Sequence, residues 1–292
     1  AVDDEWEDEP RPRRQRREPE RRPSPRDHMP AWRRVGLGFL IQQVAVALNL
    51  VALALAVAAT VALPDDPLDF DRQASPAEVV AWAVAACAGF FGLALQLVGR
   101  FVSAPTPVRA PRAVGWFSAI MTGLQFPAGC MLGLFAAIVG ADQQQQAGAG
   151  NGGGPDPALT MLVGLGVFGW LTLLAVAEAC HGFAVGSVGR VLRADAVRTL
   201  GRGLGVYVLV AGFLAMVSLC GFGAWADANN PNGQNPAAVR QENQLFIGWV
   251  IGAGVLTGLY LMLDVVLLQQ AKTAIARIGE ADDPDPAAED WR

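Results

Sequence analysis

The fold is decided by residues 35–63, which read VGLGFLIQQVAVALNLVALALAVAATVAL. This run holds no charged residue, and it exceeds the roughly 20 apolar residues that a helix needs to cross a bilayer core. It is too long for the apolar part of a secretory signal peptide, and a charged tail precedes it. The run therefore predicts a first membrane-spanning helix that stays in the protein.

Five further runs of the same character follow, and none contains an arginine or a lysine. Charged, proline-rich or Gly/Asn/Gln-rich segments separate them, and such segments cannot continue a membrane helix at low cost. The six predicted spans are 35–63, 79–99, 113–140, 158–184, 203–225 and 245–270. The fold class is therefore all-α, a polytopic membrane helix bundle of six transmembrane helices arranged as three hairpins.

The composition supports a membrane environment. Of the 292 residues 52% are hydrophobic and 17% are charged, against about 25% charged in soluble domains. The net charge of −5 gives no reason to expect a nucleic-acid partner. The four cysteines all lie inside apolar runs without a C-x-x-C spacing. We therefore expect buried free thiols that pack as small apolar groups, with neither disulfides nor a structural zinc site.

The basic residues predict the orientation. Of the 22 arginines and lysines, 20 lie before the first span, in the second and fourth loops or after the last span, and only Arg72 and Arg240 lie on the other side. Cytoplasmic segments are enriched in basic residues, so both termini are predicted in the cytoplasm (N-in/C-in). The strong preference for arginine over lysine is typical of a GC-rich bacterial genome. The predicted location is the inner (cytoplasmic) cell membrane, crossed several times.

Two charged tails flank the predicted transmembrane domain at 32–271. Residues 1–31 form an acidic block followed by an arginine-rich one, with too few apolar residues to fold alone. This predicted disordered cytoplasmic tail could contact anionic lipid headgroups through its arginines. Residues 272–292 form the C-terminal cytoplasmic tail. The outer loops at 64–78, 141–157 and 226–244 have the composition of short, unstructured connections.

Aromatic residues predict the depth of the helices in the membrane, and small residues predict where two helices pack closely. Trp32 and Trp116 fall at the cytoplasmic starts of spans one and three, where tryptophan often marks the membrane–water interface. Small-xxx-small pairs predict close helix packing within the chain, or with a second copy or another subunit. The pairs are Gly129/Gly133, Gly182/Gly186, Gly248/Gly252 and Gly254/Gly258.

The triplet Val-Gly-Arg occurs at 98–100 and at 188–190, which is consistent with duplication of a two-helix unit.

Ionisable residues inside spans are the candidate functional residues, because burying a charge in a membrane is costly. They are Glu178, His181 and Asp264, and Gln96 is their polar companion in span two. Glu178 and His181 form an E-x-x-H pair on one helix face, as in di-iron bundles, but the second such pair is missing. We expect no catalytic residues, no cofactor and no metal site. Counting from the outer ends favours a position near the cytoplasmic boundary for Glu178, whereas alignment of the two Val-Gly-Arg triplets places it in mid-membrane.

The sequence favours an integral membrane protein of unassigned molecular function, in a non-catalytic organising or partner-subunit role. The alternative is a small transporter or channel with a polar path near Glu178, His181 and Asp264. A membrane-embedded enzyme is less favoured, since no nucleophile–base pair, metal cluster or phosphate loop is present in the sequence. Burial of Glu178 and Asp264 around an interior cavity would favour the transporter, and contact with lipid headgroups would favour the organising role.

Overall fold

The computed structural model describes residues 28–61, 76–148, 157–229 and 236–280. Over these residues the chain forms six α-helices and no strand. The helices are α1 (Met29–Val61), α2 (Pro76–Ser103), α3 (Arg109–Gly148), α4 (Pro157–Val191), α5 (Asp195–Asn229) and α6 (Pro236–Glu280). Each predicted span falls on one of these helices, so the all-α class is confirmed. Most of the predicted N-terminal tail, the acidic loop at 64–78 and the end of the C-terminal tail lie outside the described residues.

Several helices continue beyond the apolar runs. α3 extends through residues 141–148, where the composition predicts a loop, and α6 starts at Pro236 inside the predicted loop at 226–244. α6 also continues to Glu280, into the predicted C-terminal tail, and α1 starts at Met29 in the predicted N-terminal tail. Glutamine, alanine and arginine are good helix formers, so a helix can continue into water after its apolar stretch ends.

Over the described residues, five helices are long and apolar enough to cross a membrane, and α3 is not among them. The prediction of six spans is therefore supported for α1, α2, α4, α5 and α6. Two polar residues of α3, Thr122 and Gln125, are buried in the bundle. They help to form its polar interior.

The distribution of polar and apolar side chains is the opposite of that in a water-soluble protein. The outward faces carry large apolar side chains that are more than half exposed, among them Val80, Phe91, Met161, Phe213 and Val255. The buried polar residues include a glutamate, an aspartate, a histidine, an arginine and three glutamines. An apolar exterior around a polar interior is the arrangement expected of helices surrounded by lipid, and it indicates a multi-pass membrane protein.

The helices form a ring in chain order. Each helix packs against the next one along the chain, and α6 returns to pack against α1. α4 also contacts α6 across the ring. The most extensive packing joins α1 to α2 and α4 to α5. We call the end of the ring with the α2–α3 and α4–α5 turns the closed end, and the opposite end, where α1 ends and α2 begins, the open end.

Glycines bring the helices together near the closed end. A Cβ atom on Gly38 of α1 would lie 2.7 Å from the carbonyl oxygen of Gly99 of α2. On the other pair, a Cβ on Gly201 of α5 would lie 2.6 Å from the backbone nitrogen of Gly186 and 2.7 Å from the carbonyl oxygen of Gly182 of α4. The predicted Gly182/Gly186 packing pair is therefore confirmed. Gly99, from the first Val-Gly-Arg triplet, lies in the α1–α2 crossing.

Other glycines toward the open end face outward. Gly164 of α4 and Gly221 of α5 are exposed and have no neighbouring-helix atom within 4 Å of where a Cβ would lie. Gly248 and Gly252 of α6 belong to this group, so their predicted tight packing is wrong within the described chain. Gly254 does contact α1, since its Cβ would lie 2.8 Å from Val57. The small-residue pattern marks true crossings only where a second helix approaches.

The largest apolar cluster lies near the closed end and includes Trp32, Phe39, Leu204 and Leu268. Trp32 has no exposed surface, and its depth at the membrane–water interface stays a prediction. It belongs to a buried cluster with residues of α4, α5 and α6. Trp116 keeps partial exposure and packs edge-on against Phe101, with ring centroids 5.7 Å apart.

The cysteines are free, as predicted, but most of them are not buried. Cys87, Cys130 and Cys220 are exposed on the outside of the ring, and only Cys180 is partly buried. A thiol behaves as a small apolar group, so an outward position in an apolar membrane environment is as favourable as a core position. The prediction of burial was wrong because it assumed that apolar residues face the interior.

The α4–α5 turn has the hydrogen bonds of a Schellman motif. The amide of Ala194 donates to the carbonyl of Gly189 at 2.8 Å, and the amide of Arg193 donates to that of Arg190 at 3.4 Å. Arg193 occupies the left-handed position with φ 55°, which glycine usually takes. This tight turn fixes α4 and α5 as neighbours at the closed end.

We expect Gly201→Ala to destabilise the protein by about 1–3 kcal/mol, because the added methyl group has to enter the backbone of α4. Gly203→Ala is the matched control, since no described atom lies within 4 Å of its Cβ position. The control should be neutral or stabilising by up to about 1 kcal/mol through helix propensity. Thermal unfolding in detergent measures both, and equal midpoints for the two variants would contradict the glycine crossing.

Candidate functional site

The polar interior is centred on Glu178, which is 6% exposed on α4. One carboxylate oxygen, Oε1, accepts a hydrogen bond from Gln96 Nε2 of α2 at 3.0 Å. The other, Oε2, accepts hydrogen bonds from Arg100 Nη2 of α2 and from the hydroxyl of Tyr260 of α6. Asn49 of α1 donates in turn to Gln96 Oε1 at 3.4 Å. The carboxylate of Glu178 therefore connects α4 directly to α2 and α6, and Gln96 extends the network to α1.

Arg100 binds Glu178 from the closed end and adds the remaining helix of this network, α3. Its Nη1 donates to Thr122 Oγ1, to Ser118 Oγ at 3.4 Å and to the carbonyl oxygen of Ala177 at 3.4 Å. The side chain is about 1% exposed, and that of Glu178 about 7%. The arginine that the orientation count assigns to the second loop therefore lies inside the bundle. Arg100 was missed because it follows the last apolar residues of α2 directly, although its i,i+4 spacing from Gln96 places both on one face.

The ion pair compensates the desolvation of both charges. A buried charge without a partner is strongly destabilising, and a buried pair needs further hydrogen bonds to be tolerated. Glu178 has such bonds from Gln96 and Tyr260, and Arg100 has them to Ser118 and Thr122. Only Arg100 Nε lacks a partner among the described residues. The network therefore fixes the relative positions of α2, α3, α4 and α6.

A second polar pair lies one helical turn away. His181 Nε2 of α4 is 3.3 Å from Asp264 Oδ1 of α6, and both side chains are buried. The two atoms are close enough for an ion pair but are not aligned as a hydrogen bond. Because Glu178/His181 and Tyr260/Asp264 each lie about one turn apart, α4 and α6 pair their polar residues at two successive levels. A protonated His181 would balance the charge of Asp264, as Arg100 balances that of Glu178.

The predicted site residues are thus brought together in two pairs, Gln96 with Glu178 and His181 with Asp264. All four are buried, so neither carboxylate points outward to headgroups. Their depth relative to lipid stays a prediction. In the part of the chain that the structure describes, no three His, Cys, Asp or Glu side chains are grouped closely enough to hold a metal ion.

A cavity of about 630 Å³ lies above this network, toward the open end. Gln96, Glu178 and Tyr260 line its inner end, and Trp82 of α2 and Trp249 of α6 line it near the open end. Trp82 and Gln96 are 14 positions apart on α2, which corresponds to about 20 Å along a helix. Between them the walls consist mainly of alanine, leucine, valine and methionine side chains. The volume falls in the range of about 300–1,000 Å³ that is typical of small-molecule sites.

Two polar side chains in this cavity have atoms without a partner among the described residues. Gln125 of α3 is 1% exposed, and neither its amide oxygen nor its amide nitrogen is hydrogen-bonded. The indole nitrogen of Trp170 of α4 is also buried and unpaired. Buried polar groups in proteins are almost always hydrogen-bonded, and an unsatisfied one costs about 1–3 kcal/mol. Both residues line the cavity.

A much smaller pocket of about 20 Å³ lies on the other side of the ion pair. Arg100, Ser103 and His181 line it, together with apolar residues of α1 and α4. Such a volume holds about one water molecule. Arg100 and Glu178 therefore stand between the large cavity and this small pocket, each lining one of them.

Sequence patterns could have revealed part of this network. Tyr260 lies four residues before Asp264, and Gln125 lies three residues after Thr122 on α3. Both spacings place polar residues on a common helix face with a residue of the network. The pairing of helices across the ring decides which faces meet, and no pattern within one helix contains that information.

Comparisons with family models, curated proteins and solved structures find no match to this chain.

We expect Glu178→Gln and Arg100→Gln each to destabilise the protein by about 3–5 kcal/mol, because each leaves one buried charge without its partner. The double variant should lose less than the sum of the two and less than the worse single variant. Arg240→Gln, at an exposed position of α6, is the control and should change little. Thermal unfolding in detergent checks the cycle, and additive losses would contradict the ion pair.

Proposed function

We propose that this chain is a membrane transporter for a small solute, which enters the cavity from the open end and is stopped by the Arg100–Glu178 ion pair. The observation that carries this proposal is the cavity of about 630 Å³ whose inner end is formed by a buried, fully connected polar network. A structural polar network needs no such space beside it. Glu178 faces this cavity, which favours the transporter over the organising role.

The ion pair supports the role of a gate. It separates a large cavity near the open end from a small pocket near the closed end. Each partner has alternative hydrogen bonds that would remain after the pair separates, Glu178 with Gln96 and Tyr260, and Arg100 with Ser118 and Thr122. Separation would therefore leave neither charge without polar contacts, which lowers the cost of opening.

The second pair extends the path toward the closed end. His181 lines the small pocket, and its partner Asp264 lies one turn beyond Tyr260 on α6. Chains of buried ionisable groups are typical of ion and proton pathways in membrane proteins. A solute or proton that passes the Arg100–Glu178 pair would next meet His181 and Asp264.

The charge distribution of the sequence adds an orientation to the proposal. With both termini in the cytoplasm of a cell-membrane protein, the open end faces outside and the closed end faces inside. The non-catalytic organising or partner-subunit role stays the other prediction, as do contact of the N-terminal tail with anionic lipids and oligomers formed through glycine-rich faces. No observation on the described residues favours the organising role over transport.

Cysteine labelling on a background without native cysteines tests the path. Ala215→Cys of α5 and Ala253→Cys of α6 line the cavity, so a charged, membrane-impermeant thiol reagent should modify them. Val217→Cys and Val255→Cys lie two residues away on the same helices, with more than half of the valine exposed on the outside of the ring. These controls should stay unmodified in lipid, because a charged reagent does not enter hydrocarbon.

The gate has its own test. Ala184 lines the small pocket beyond the ion pair, so Ala184→Cys should be protected from reagent added at the open end. Combined with Glu178→Gln, or with Arg100→Lys if the first variant does not fold, it should become accessible from that side. Protection of both cavity positions, or equal labelling of the cavity and outward positions, would overturn the transporter proposal.

A further inference from the structure

Two residues that line the large cavity, Gln125 of α3 and Trp170 of α4, have polar atoms without a partner among the described residues. Gln125 is buried and has a free donor and a free acceptor among the described residues, and Trp170 has a free donor. The two side chains come from adjacent helices of the ring and line the same cavity. Together they offer two donors and one acceptor to a molecule that enters.

The position of the indole supports this reading. Gly129 lies one turn after Gln125 on α3, and a Cβ atom on Gly129 would lie 3.6 Å from Trp170 Nε1. The indole nitrogen therefore faces α3 next to the turn that carries Gln125.

The charges of the cavity exclude an ionic head group. Of the residues that the structure describes along this cavity, Glu178 alone is charged, and it is bound by Arg100, Tyr260 and Gln96. A charged head group would lose its hydration without gaining a free counter-charge, which is strongly unfavourable in an apolar chamber. A neutral head group that both donates and accepts hydrogen bonds matches the free atoms of Gln125 and Trp170.

The walls define the rest of the molecule. Around Gln125 and Trp170 they are mainly apolar, with side chains such as Leu171, Leu174 and Met216. They would surround a hydrocarbon body. On these grounds we propose that the cavity binds a neutral amphiphile with a hydroxyl or amide head group and a hydrocarbon body, with the head group held by Gln125 and Trp170. The proposal rests on the proposed transport function and names its class of solute.

Quenching of tryptophan fluorescence by brominated amphiphiles tests the head group, with the full chain in lipid nanodiscs. The probes are bromoundecanol, bromoundecanoate and bromoundecyl-trimethylammonium, which share one hydrocarbon chain and differ in charge. The alcohol should give saturable quenching, at least about tenfold tighter than either ion. Trp170→Phe should weaken the saturable quenching by the alcohol, because the variant lacks the indole N–H of the proposed site.

Variants of Gln125 distinguish specific binding of the alcohol from its partition into lipid. Gln125→Leu keeps a similar size and should weaken binding of the alcohol about tenfold. Gln269→Leu is the matched control, since Gln269 is bonded to Gln43 on another part of the molecule and does not line the cavity. Its affinity should match that of the wild type.

The outcomes distinguish this proposal from the transport function. Equal saturable binding of all three probes would overturn the neutral head group and leave the cavity as a solute path. Absence of saturable quenching, with the cavity cysteines still labelled, would mean that water alone occupies the cavity and would overturn the ligand class. Absence of both signals would overturn the transport function as well.

Discussion

A guanidinium and a carboxylate buried among apolar helices have to neutralise each other, because neither can stay charged there alone. In this protein the Arg100–Glu178 pair meets that requirement with help from four neighbouring residues on three helices. The helices that carry these groups cannot slide or rotate without breaking hydrogen bonds that lipid cannot replace. The pair therefore fixes the register of α2, α3, α4 and α6, and the ring is built around it.

The two halves of the ring differ in how closely their helices pack. Near the closed end, Gly38 and Gly99 bring α1 and α2 together, and glycines of α4 and α5 do the same on the other side. This close packing excludes water from the ion pair and strengthens its electrostatic attraction. Toward the open end, mainly apolar side chains line the cavity that lies between the helices. The polar network lies where the two halves meet, which is why it can both hold the helices and border the cavity.

Hydropathy predicted most of the fold, because a membrane requires each span to be apolar along its whole length. It did not predict that Trp32 is buried inside the bundle, or that three of the cysteines face outward. It identified Glu178, His181, Asp264 and Gln96, since polar residues are conspicuous in apolar runs. Their partners were harder to find. Arg100 lies at the edge of a run, and Tyr260 and Trp170 are ordinary residues in membrane helices, so only the packing of the helices gives them a role.

The separation of Arg100 and Glu178 by 78 positions has a consequence for biogenesis. The ribosome delivers α2 to the membrane well before α4, so for that interval the arginine has no carboxylate to bind. An unpaired arginine near the end of a helix extends toward the headgroups, where its charge stays hydrated. We therefore expect α2 to lie shallower in the bilayer before α4 is inserted than in the finished bundle. Completion of the network, rather than insertion of each helix, would then be the step that gives the mature structure.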